Sequence, residues 1–282
     1  MPELPEVETV RRGLGDFVVG KSVVKIITLS EKNFVGDDAE VVGRKIVGLK
    51  RRGKVLIVEL SNGWNLMIHL RMTGQLIYQG DKRFAAGHPT DDFLLEMPGK
   101  HTRVIFVFND NSKLYFNDQR KFGFVKVMDD AMLEEDVFLR KLGPEPWGME
   151  AQEFFERLQR RKNTSVKAAI LDQSVIAGVG NIYADEGLWK TKIFPGRLVR
   201  DVTMSEAGEL LRGLCEVMEE SISGGGSTMR NYLRVDGTRG NYLEKFAKVF
   251  QREGEVCGRC GGVIEKTRVA GRGTHYCPGC QK

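Results

Sequence analysis

Four cysteines near the carboxyl end of the chain have the spacing of a metal site. They form two C-x2-C pairs with 16 residues between them, and they are Cys257, Cys260, Cys277 and Cys280. Two such pairs can surround one ion with four thiolates, which is typical of structural zinc and leaves no position for a reactive water. The alternative is a pair of redox dithiols. We predict one structural zinc ion, which folds a tail too short for a core of its own.

The amino terminus, MPELPE, suggests a second kind of chemistry. If Met1 is removed, Pro2 presents a secondary amine that can attack an aldehyde-like carbon. The resulting iminium has no proton to lose and is a strong electron sink. Glu3 and Glu6 are near enough in sequence to act as general acid or base. The alternative is that Pro2 only starts a helix and that the two carboxylates favour the helix dipole.

Hydrophobic patterning predicts a strand-rich first part and a helical second part. Apolar residues at helical spacing predict a helix over residues 4–14. Strands, in an arrangement typical of a sandwich or barrel, are predicted at 54–60, 65–70, 103–108, 113–117 and 123–128. Helices are predicted at 150–161, 166–171, 182–190 and 205–223. The polar segment 79–100 is interpreted as a long, mobile loop, and Cys215 as a core residue of the last helix.

Composition and charge exclude several classes of protein. With 282 residues, 41% hydrophobic and 29% charged, the chain is neither disordered nor collagenous, and its length predicts about two domains. It has no apolar run of about 18 residues, so we expect no membrane span. Its start is acidic and lacks the features of a signal peptide, so we expect a cytoplasmic protein. The net charge of +5 is compatible with a polyanionic partner but does not establish one.

Motifs along the whole chain resemble the formamidopyrimidine-DNA glycosylase family, the bacterial repair enzymes for oxidised purines. The opening MPELPEVETVRRGL carries the resemblance first. It continues, in the order of the family, in RRGK at 51–54, HLRMTG at 69–74, DQRKFG at 118–123, LGPEP at 142–146, GVGNIYADE at 178–186 and the tail 257–282. Gln119 departs from the residues usual in relatives, and segment 79–100 is longer than expected.

The resemblance implies an α+β fold with two domains and DNA in the cleft between them. An N-terminal catalytic β-sandwich domain with an N-terminal helix is expected at 1–131, followed by a linker at 132–148. A helix–two-turn–helix DNA-binding domain is expected at 149–245 and a zinc-binding β-hairpin at 246–282. We expect a monomer that binds double-stranded DNA containing an oxidised base, at the nucleoid.

The resemblance also assigns catalytic roles. Pro2 becomes the nucleophile, and Glu3 the donor of a proton to the deoxyribose ring oxygen or the leaving group. Lys54 is implied to hold a phosphate and to pair with Glu3. Without the resemblance, the alternative is an exposed lysine at the end of a strand. Glu6 is implied to orient groups around the iminium and the lesion. Arg272, between the two cysteine pairs, is implied to contact the phosphates at the lesion.

DNA contacts are implied for a larger set. A base is accessible to the nucleophile only outside the stack, and Met72, Arg120 and Phe122 are implied to fill the space that it leaves. The alternative for Met72 and Phe122 is that they are ordinary core residues. Asn181 after a glycine-rich turn is an expected helix N-cap and anion site. Further backbone contacts are assigned to His69, Lys167 and Tyr183.

Lesion recognition is implied for the glycine-rich loop 224–240, through Ser227, Thr228 and Tyr232. The residues and the resemblance together predict a bifunctional glycosylase and lyase. It would excise 8-oxoguanine and formamidopyrimidines and then cleave the strand by β,δ-elimination. Zinc is the expected metal, and no organic cofactor is required. Two rivals remain, namely an endonuclease-VIII-like glycosylase for oxidised pyrimidines and a noncatalytic zinc-finger DNA-binding protein.

Overall fold

A computed structural model describes residues 1–88, 96–225 and 246–282. Within them the chain divides into two compact units. The first is Met1–Arg140, and the second contains Lys141–Ser223 together with residues 246–282. No helix in the described ranges combines the length and the apolar character that a membrane span requires.

The first unit begins with a helix and continues as a β-sandwich. Its helices are α1 (Leu4–Val18), α2 (Asp130–Glu135) and α3 (Val137–Arg140). Its strands are β1 (Val23–Thr28), β2 (Phe34–Val35), β3 (Ile46–Arg52), β4 (Val55–Leu60), β5 (Trp64–His69), β6 (Gly74–Gln79), β7 (Arg83–Gly87), β8 (Thr102–Phe108), β9 (Lys113–Asp118) and β10 (Phe124–Asp129).

Two five-stranded sheets form the sandwich, in the orders β1-β8-β9-β6-β7 and β2-β10-β5-β4-β3. Neighbouring strands are antiparallel except β2 and β10, which are parallel. The apolar residues of α1 and of both sheets share one core, in which Leu14, Leu56 and Phe116 have no exposed surface. Alternation along each strand turns these side chains to one face, so burial of that face holds the sheets together.

The predicted strands correspond to β4, β5, β8, β9 and β10, whereas β1, β2, β3, β6 and β7 were not predicted. The interpretation of 79–100 as a loop is wrong in part. Gln79 is the last residue of β6, and Arg83–Gly87 forms β7, which pairs with β6 from Gln75↔Gly87 to Gln79↔Arg83. Residues 83–87 have no marked hydrophobic alternation, so their sequence does not indicate a strand. The strand forms by pairing with the edge of β6.

The second unit is helical and ends in a hairpin. It contains α4 (Ala151–Gln159), α5 (Val166–Leu171), α6 (Asn181–Lys190), α7 (Met204–Ser223), β11 (Glu265–Val269) and β12 (Arg272–Tyr276). The helical and hairpin content confirms the predicted α+β class.

Candidate active site and nucleic-acid interface

The amino group of the chain lies in a shielded, charged environment at the start of α1. Burial lowers the pKa of the Met1 amine; Glu3 and Glu6 act in the opposite direction, and Lys54 lowers the pKa further. All three side chains are buried. Glu3 donates its backbone N–H to Glu6 Oε2 at 2.8 Å, which fixes the first turn of α1. The amine, the two carboxylates and the Lys54 ammonium are thus near enough to influence one another electrostatically.

A half-buried arginine joins α1 to the turn that carries Lys54. Burial opposes ionisation of Glu8, but hydrogen bonds from three arginines outweigh it and lower the pKa of Glu8 to about 2. One of them is Arg51, whose Nε lies 3.1 Å from Glu8 Oε2. The same guanidinium donates to the carbonyl of Gly53 at 3.0 Å. Because Gly53 has a φ of 56°, a turn that favours glycine, this contact positions the next residue, Lys54.

His69 ends β5 beside this turn and is uncharged. In the antiparallel register of β4 and β5, His69 pairs with Val55, the neighbour of Lys54. Burial lowers the pKa of His69 to about 3, with further lowering by Arg71 and Lys54. Its Nδ1 accepts the backbone N–H of Arg71 at 3.0 Å, so the ring hydrogen is on Nε2. The group that His69 offers to the predicted phosphate contact is therefore a neutral N–H donor.

The three side chains predicted to fill the space of an everted base lie on two neighbouring loops. Met72 is half-buried in the β5–β6 loop, and Arg120 and Phe122 are exposed in the β9–β10 loop. Phe122 is 49% exposed and lies under the guanidinium of Arg120, 4.8 Å from ring centroid to Cζ. An exposed aromatic ring stacked by a cation suits contact with nucleobases. Phe122 is thus not the core residue that the alternative required.

A buried aspartate joins these two loops. Asp118 has no exposed surface, and its Oδ1 accepts hydrogen bonds from the hydroxyl of Thr73 and from the N–H of Arg120. Its Oδ2 accepts the N–H of Gly123 at 2.6 Å. Thr73 also accepts the Arg120 N–H, at 3.0 Å. One carboxylate therefore fixes both loops in the first unit.

Asn181 begins α6 in the second unit, after a turn held by Gln173. The side-chain amide of Gln173 donates to Val179 O at 2.8 Å and accepts the N–H of Gly178 at 2.9 Å. The N-cap is Gly180, so the prediction of Asn181 as the cap is wrong by one residue. Its amide donates instead to the carbonyl of Gly273 at 3.0 Å.

Arg272 lies at the tip of the β11–β12 hairpin. Ala270 and Gly271 form its two-residue turn with φ values of 50° and 72°, which is typical of a tight hairpin. Arg272 is exposed, and its neighbour Gly273 accepts the amide of Asn181. Asn181 and Arg272, which were predicted separately, are therefore brought near each other within the second unit.

Lys167 occupies a different environment from the predicted one. Its side chain has no exposed surface, and its Nζ lies 2.6 Å from Asp185 Oδ1, 2.8 Å from Thr274 Oγ1 and 3.1 Å from the carbonyl of Gly273. Asp185 Oδ2 accepts the N–H of His275 at 2.9 Å. An ammonium enclosed in this way does not reach a phosphate, so Lys167 holds the hairpin against α5 and α6.

Tyr183 is also buried, which does not fit the predicted backbone contact. Its hydroxyl lies 2.5 Å from Ser221 Oγ, within the packing of α6 against α7. In both cases a polar side chain on a helix completes a contact inside the second unit.

We expect Lys167→Met to lower the free energy of unfolding of the second unit by about 3–5 kcal/mol, because Asp185 remains as an uncompensated buried charge. Replacing both residues, as Lys167→Met with Asp185→Leu, should recover most of this loss. Lys190→Met is the matched control, since its pair with Glu216 is partly exposed and is worth at most about 1 kcal/mol. Equal losses for the two single variants in urea unfolding would contradict the assignment.

The four predicted cysteines converge and fit zinc. Their sulfur atoms all lie within 4.8 Å of one another, with 3.8 Å between Cys257 and Cys280 and 3.5 Å between Cys260 and Cys277. Tetrahedral Zn–S bonds of ~2.3 Å require sulfurs about 3.8 Å apart. Cys215 is separate, and burial raises its pKa to about 11. Together with the zinc-finger family match given below, this confirms one structural zinc ion.

A tryptophan from α6 lies against the zinc ligands. The indole N–H of Trp189 donates to Cys257 Sγ at 3.5 Å. Arg259, inside the first cysteine pair, lies 3.9 Å from the centre of the Trp189 ring and donates to the carbonyl of Trp189 at 2.7 Å. The zinc site is therefore attached to the last turn of α6.

We expect Trp189→Phe to speed transfer of zinc to a chromogenic chelator by about tenfold, because the thiolate loses a hydrogen bond that orients it and reduces its charge. Trp147→Phe is the matched control, since that indole donates to Glu219 and not to a cysteine. Equal release rates for Trp189→Phe and the unaltered protein would contradict the expectation.

Some of the predicted site residues cannot be compared with the structure. The predicted lesion-recognition residues Ser227, Thr228 and Tyr232 lie outside the described residues. Conversely, Glu8, Arg51 and Asp118 are positioning groups that were not predicted, although all three stand in the motifs that carry the family resemblance. Arg51 comes three residues before Lys54 and Asp118 two before Arg120, and this proximity in the chain was the available signal.

Family models match this chain in three consecutive segments. They describe the formamidopyrimidine-DNA glycosylase N-terminal domain over residues 1–125, the formamidopyrimidine-DNA glycosylase H2TH domain over 142–232, and a zinc finger found in FPG and IleRS over 254–282. These matches follow the order of the elements described above.

Individual relatives extend over the full length. The formamidopyrimidine-DNA glycosylase of Pelotomaculum thermopropionicum is 38% identical over 100% of this chain and 99% of its own, and that of Desulfitobacterium hafniense is 38% identical over 100% of both. The Lactococcus lactis Fpg, solved as a mutant with DNA containing Fapy-dG, has a TM-score of 0.87 at 34% identity, covering 100% of both chains. A further structure of that protein contains DNA with an abasic site. By sequence and by fold, this chain is a member of the formamidopyrimidine-DNA glycosylase family.

Proposed function

We propose that this protein is a bifunctional DNA glycosylase and AP lyase that excises oxidised purines from duplex DNA. Relatives are named for formamidopyrimidine, and the Lactococcus lactis protein was solved with DNA containing Fapy-dG or an abasic site. The observation that carries the proposal is the cluster of the amino terminus with Glu3, Glu6 and Lys54. It acts on nucleoid DNA in the cytoplasm.

The amine cluster supports covalent catalysis. Removal of Met1 makes Pro2 the terminal residue, and burial of this site favours the unprotonated nitrogen that attacks C1′ of the damaged nucleotide. Glu3 supplies a proton to the sugar ring oxygen, which opens the ring. Lys54 holds the adjoining phosphate and balances the carboxylates. The iminium then withdraws electrons for β- and δ-elimination.

The exposed loops of the first unit support base eversion. Met72, Arg120 and Phe122 fill the space left by the nucleotide, and Asp118 keeps their two loops in register. Unstacking costs a few kcal/mol, and stacking against Phe122 offsets part of that cost. His69 donates its Nε2 hydrogen to a phosphate.

In the second unit, Asn181 and Arg272 bind phosphates at the lesion. The buried Lys167 and Asp185 fix the hairpin that presents Arg272. Zinc holds the base of the same hairpin and takes no part in bond cleavage, because four thiolates complete its coordination. Ser227, Thr228 and Tyr232 remain proposed contacts to the everted base.

The proposal is tested by borohydride trapping on a duplex with 8-oxoguanine opposite cytosine. We expect a covalent protein–DNA adduct whose mass places the DNA on Pro2 in a chain that lacks Met1. A duplex with an oxidised pyrimidine is the comparison, and faster cleavage of it would assign the protein to the endonuclease-VIII-like activity. DNA binding with no adduct and no strand cleavage would identify a noncatalytic DNA-binding protein.

A further inference from the structure

An arginine lies beside the neutral His69, in the loop between β5 and β6. Arg71 has a φ of 50°, and a residue other than glycine keeps this conformation only where its surroundings fix it. Its N–H donates to His69 Nδ1 at 3.0 Å, and the N–H of Gly74 donates to the carbonyl of Leu70 at 2.8 Å. The turn therefore gives the Arg71 side chain a defined direction.

The guanidinium of Arg71 lies against two phenylalanine rings. Its Cζ is 5.8 Å from the centre of the Phe124 ring and 5.7 Å from the centre of the Phe138 ring. The imidazole of His69 contacts the same two rings, at 5.9 Å and 5.7 Å between ring centres. Because Phe124 belongs to β10 and Phe138 to α3, separate elements of the first unit hold Arg71 and His69 at one place.

The N–H donors of this guanidinium are not used inside the protein. Among residues 1–88, 96–225 and 246–282, no atom accepts a hydrogen bond from the Arg71 side chain, and no carboxylate forms an ion pair with it. Arg71 is half-buried, and the two rings exclude water from part of its surface. A cation that has lost part of its hydration without gaining an acceptor is unfavourable until an anion binds to it.

His69 and Arg71 have complementary properties as ligands of an anion. His69 offers an N–H at Nε2 but no charge, since burial and the cations of Arg71 and Lys54 disfavour its protonated form. Arg71 supplies the positive charge, and its planar set of donors fits two oxygens of a phosphate. Together the two side chains match a phosphodiester group both in charge and in the direction of hydrogen bonding.

The loop that carries Arg71 favours DNA as the source of this phosphate. The next residue, Met72, is proposed to fill the space of the everted nucleotide. Thr73 is joined through Asp118 to the loop that carries Arg120. A phosphate bound beside these residues would belong to the duplex that they enter.

We propose that Arg71 binds a phosphate of the DNA backbone, and that the same phosphate accepts the Nε2 hydrogen of His69. Phe124 and Phe138 are positioning residues, because they hold both side chains. The inference rests on the proposed function, in which His69 contacts a phosphate, and it adds the charge that the neutral imidazole lacks. Arg71 stands in the HLRMTG motif, but the resemblance assigned no role to it.

The first test measures the affinity for a duplex with a tetrahydrofuran abasic analogue opposite cytosine, at several salt concentrations. Arg71→Met keeps an unbranched side chain against the rings and removes the charge. We expect it to bind about tenfold more weakly, and the slope of log affinity against log salt concentration to fall by about one unit. Arg71→Lys should keep the slope of the unaltered protein, because an ammonium also neutralises a phosphate.

Lys113→Met is the matched control, since it removes one exposed positive charge from the same unit. Lys113 begins β9, about 17 Å along the strand from Asp118 at its other end. Neither the affinity nor the salt dependence should change in this variant.

The second test identifies the phosphate. One phosphate at a time, on either side of the tetrahydrofuran site, is replaced by an uncharged methylphosphonate. At the contacted position the unaltered protein should lose about tenfold in affinity, whereas Arg71→Met should lose little more than it has already lost. His69→Ala should show the same non-additivity at the same position.

The outcomes separate this inference from the proposed function. If the unaltered protein binds the duplex but forms no borohydride adduct with the 8-oxoguanine duplex, the proposed function fails, and the role of Arg71 in binding is still decided by the two tests. Unchanged affinity and slope in Arg71→Met would overturn that role. Additive losses at every methylphosphonate would also overturn it, because a purely structural role predicts that result. Non-additivity of Arg71→Met and His69→Ala at different positions would contradict the shared phosphate.

Discussion

Covalent capture of damaged DNA should disappear when any residue precedes Pro2. A proline nitrogen within a peptide bond is an amide, whose lone pair is delocalised and which cannot form an iminium. The other groups of the cluster remain in place, so binding to duplex DNA with a tetrahydrofuran site should change little. We expect the rate of trapped-adduct formation to fall by at least about 1000-fold, as for loss of a catalytic nucleophile.

The comparison uses two proteins released from the same cleavable fusion, one beginning at Pro2 and one with an added glycine before it. Intact mass establishes the first residue of each, and borohydride trapping gives the rates. An adduct forming equally fast on both proteins would show that another nucleophile, such as the buried Lys54, performs the reaction.

Loss of zinc should have the second large effect. Cys277 has no exposed surface and belongs to the small cluster that includes Val249, Cys257 and Ile264. The segment around it has few other apolar contacts, so binding of the metal supplies its folding free energy, about 10 kcal/mol or more. We expect Cys277→Ser to contain no zinc and to bind lesion duplex about 100-fold more weakly, because Arg272 loses its place beside Asn181.

Cys215→Ser is the matched control, since it makes the same chemical change outside the four ligands. It should retain one zinc and bind DNA normally. Zinc content by atomic absorption and affinity at fixed salt give the two measurements. Normal DNA affinity in a zinc-free Cys277→Ser protein would contradict the role assigned to the hairpin.

The residues that sequence analysis placed correctly share a local signal. The zinc ligands are close in sequence, and a C-x2-C pair brings two thiols together whatever the rest of the chain does. The exposed tip at Arg272 follows from the same spacing. Strands β4, β5 and β8 to β10 were predicted because they are short runs rich in apolar residues, separated by turn residues such as those at 61–63 and 109–112.

Contacts between residues that are distant in the chain could not be predicted from the sequence. Lys167 and Tyr183 occupy helices, where a polar residue is more often at the surface. Each instead meets a partner far along the chain, at Asp185 and Thr274 or at Ser221. No pattern within α5 or α6 distinguishes a solvated lysine from one that completes a buried ion pair.

Lys54 shows the same limit at the amino-terminal cluster. Its place depends on the contact of Arg51 with Glu8 of α1 and on the turn at Gly53. The chemistry of Pro2, Glu3 and the four cysteines can be inferred from residue type and short spacing, because covalent reactivity and local geometry belong to the residues themselves. The approach of Lys54 to the amino terminus, and the joining of two loops by Asp118, depend on the folded sheets, because hydrogen bonds between strands join residues that the chain holds far apart.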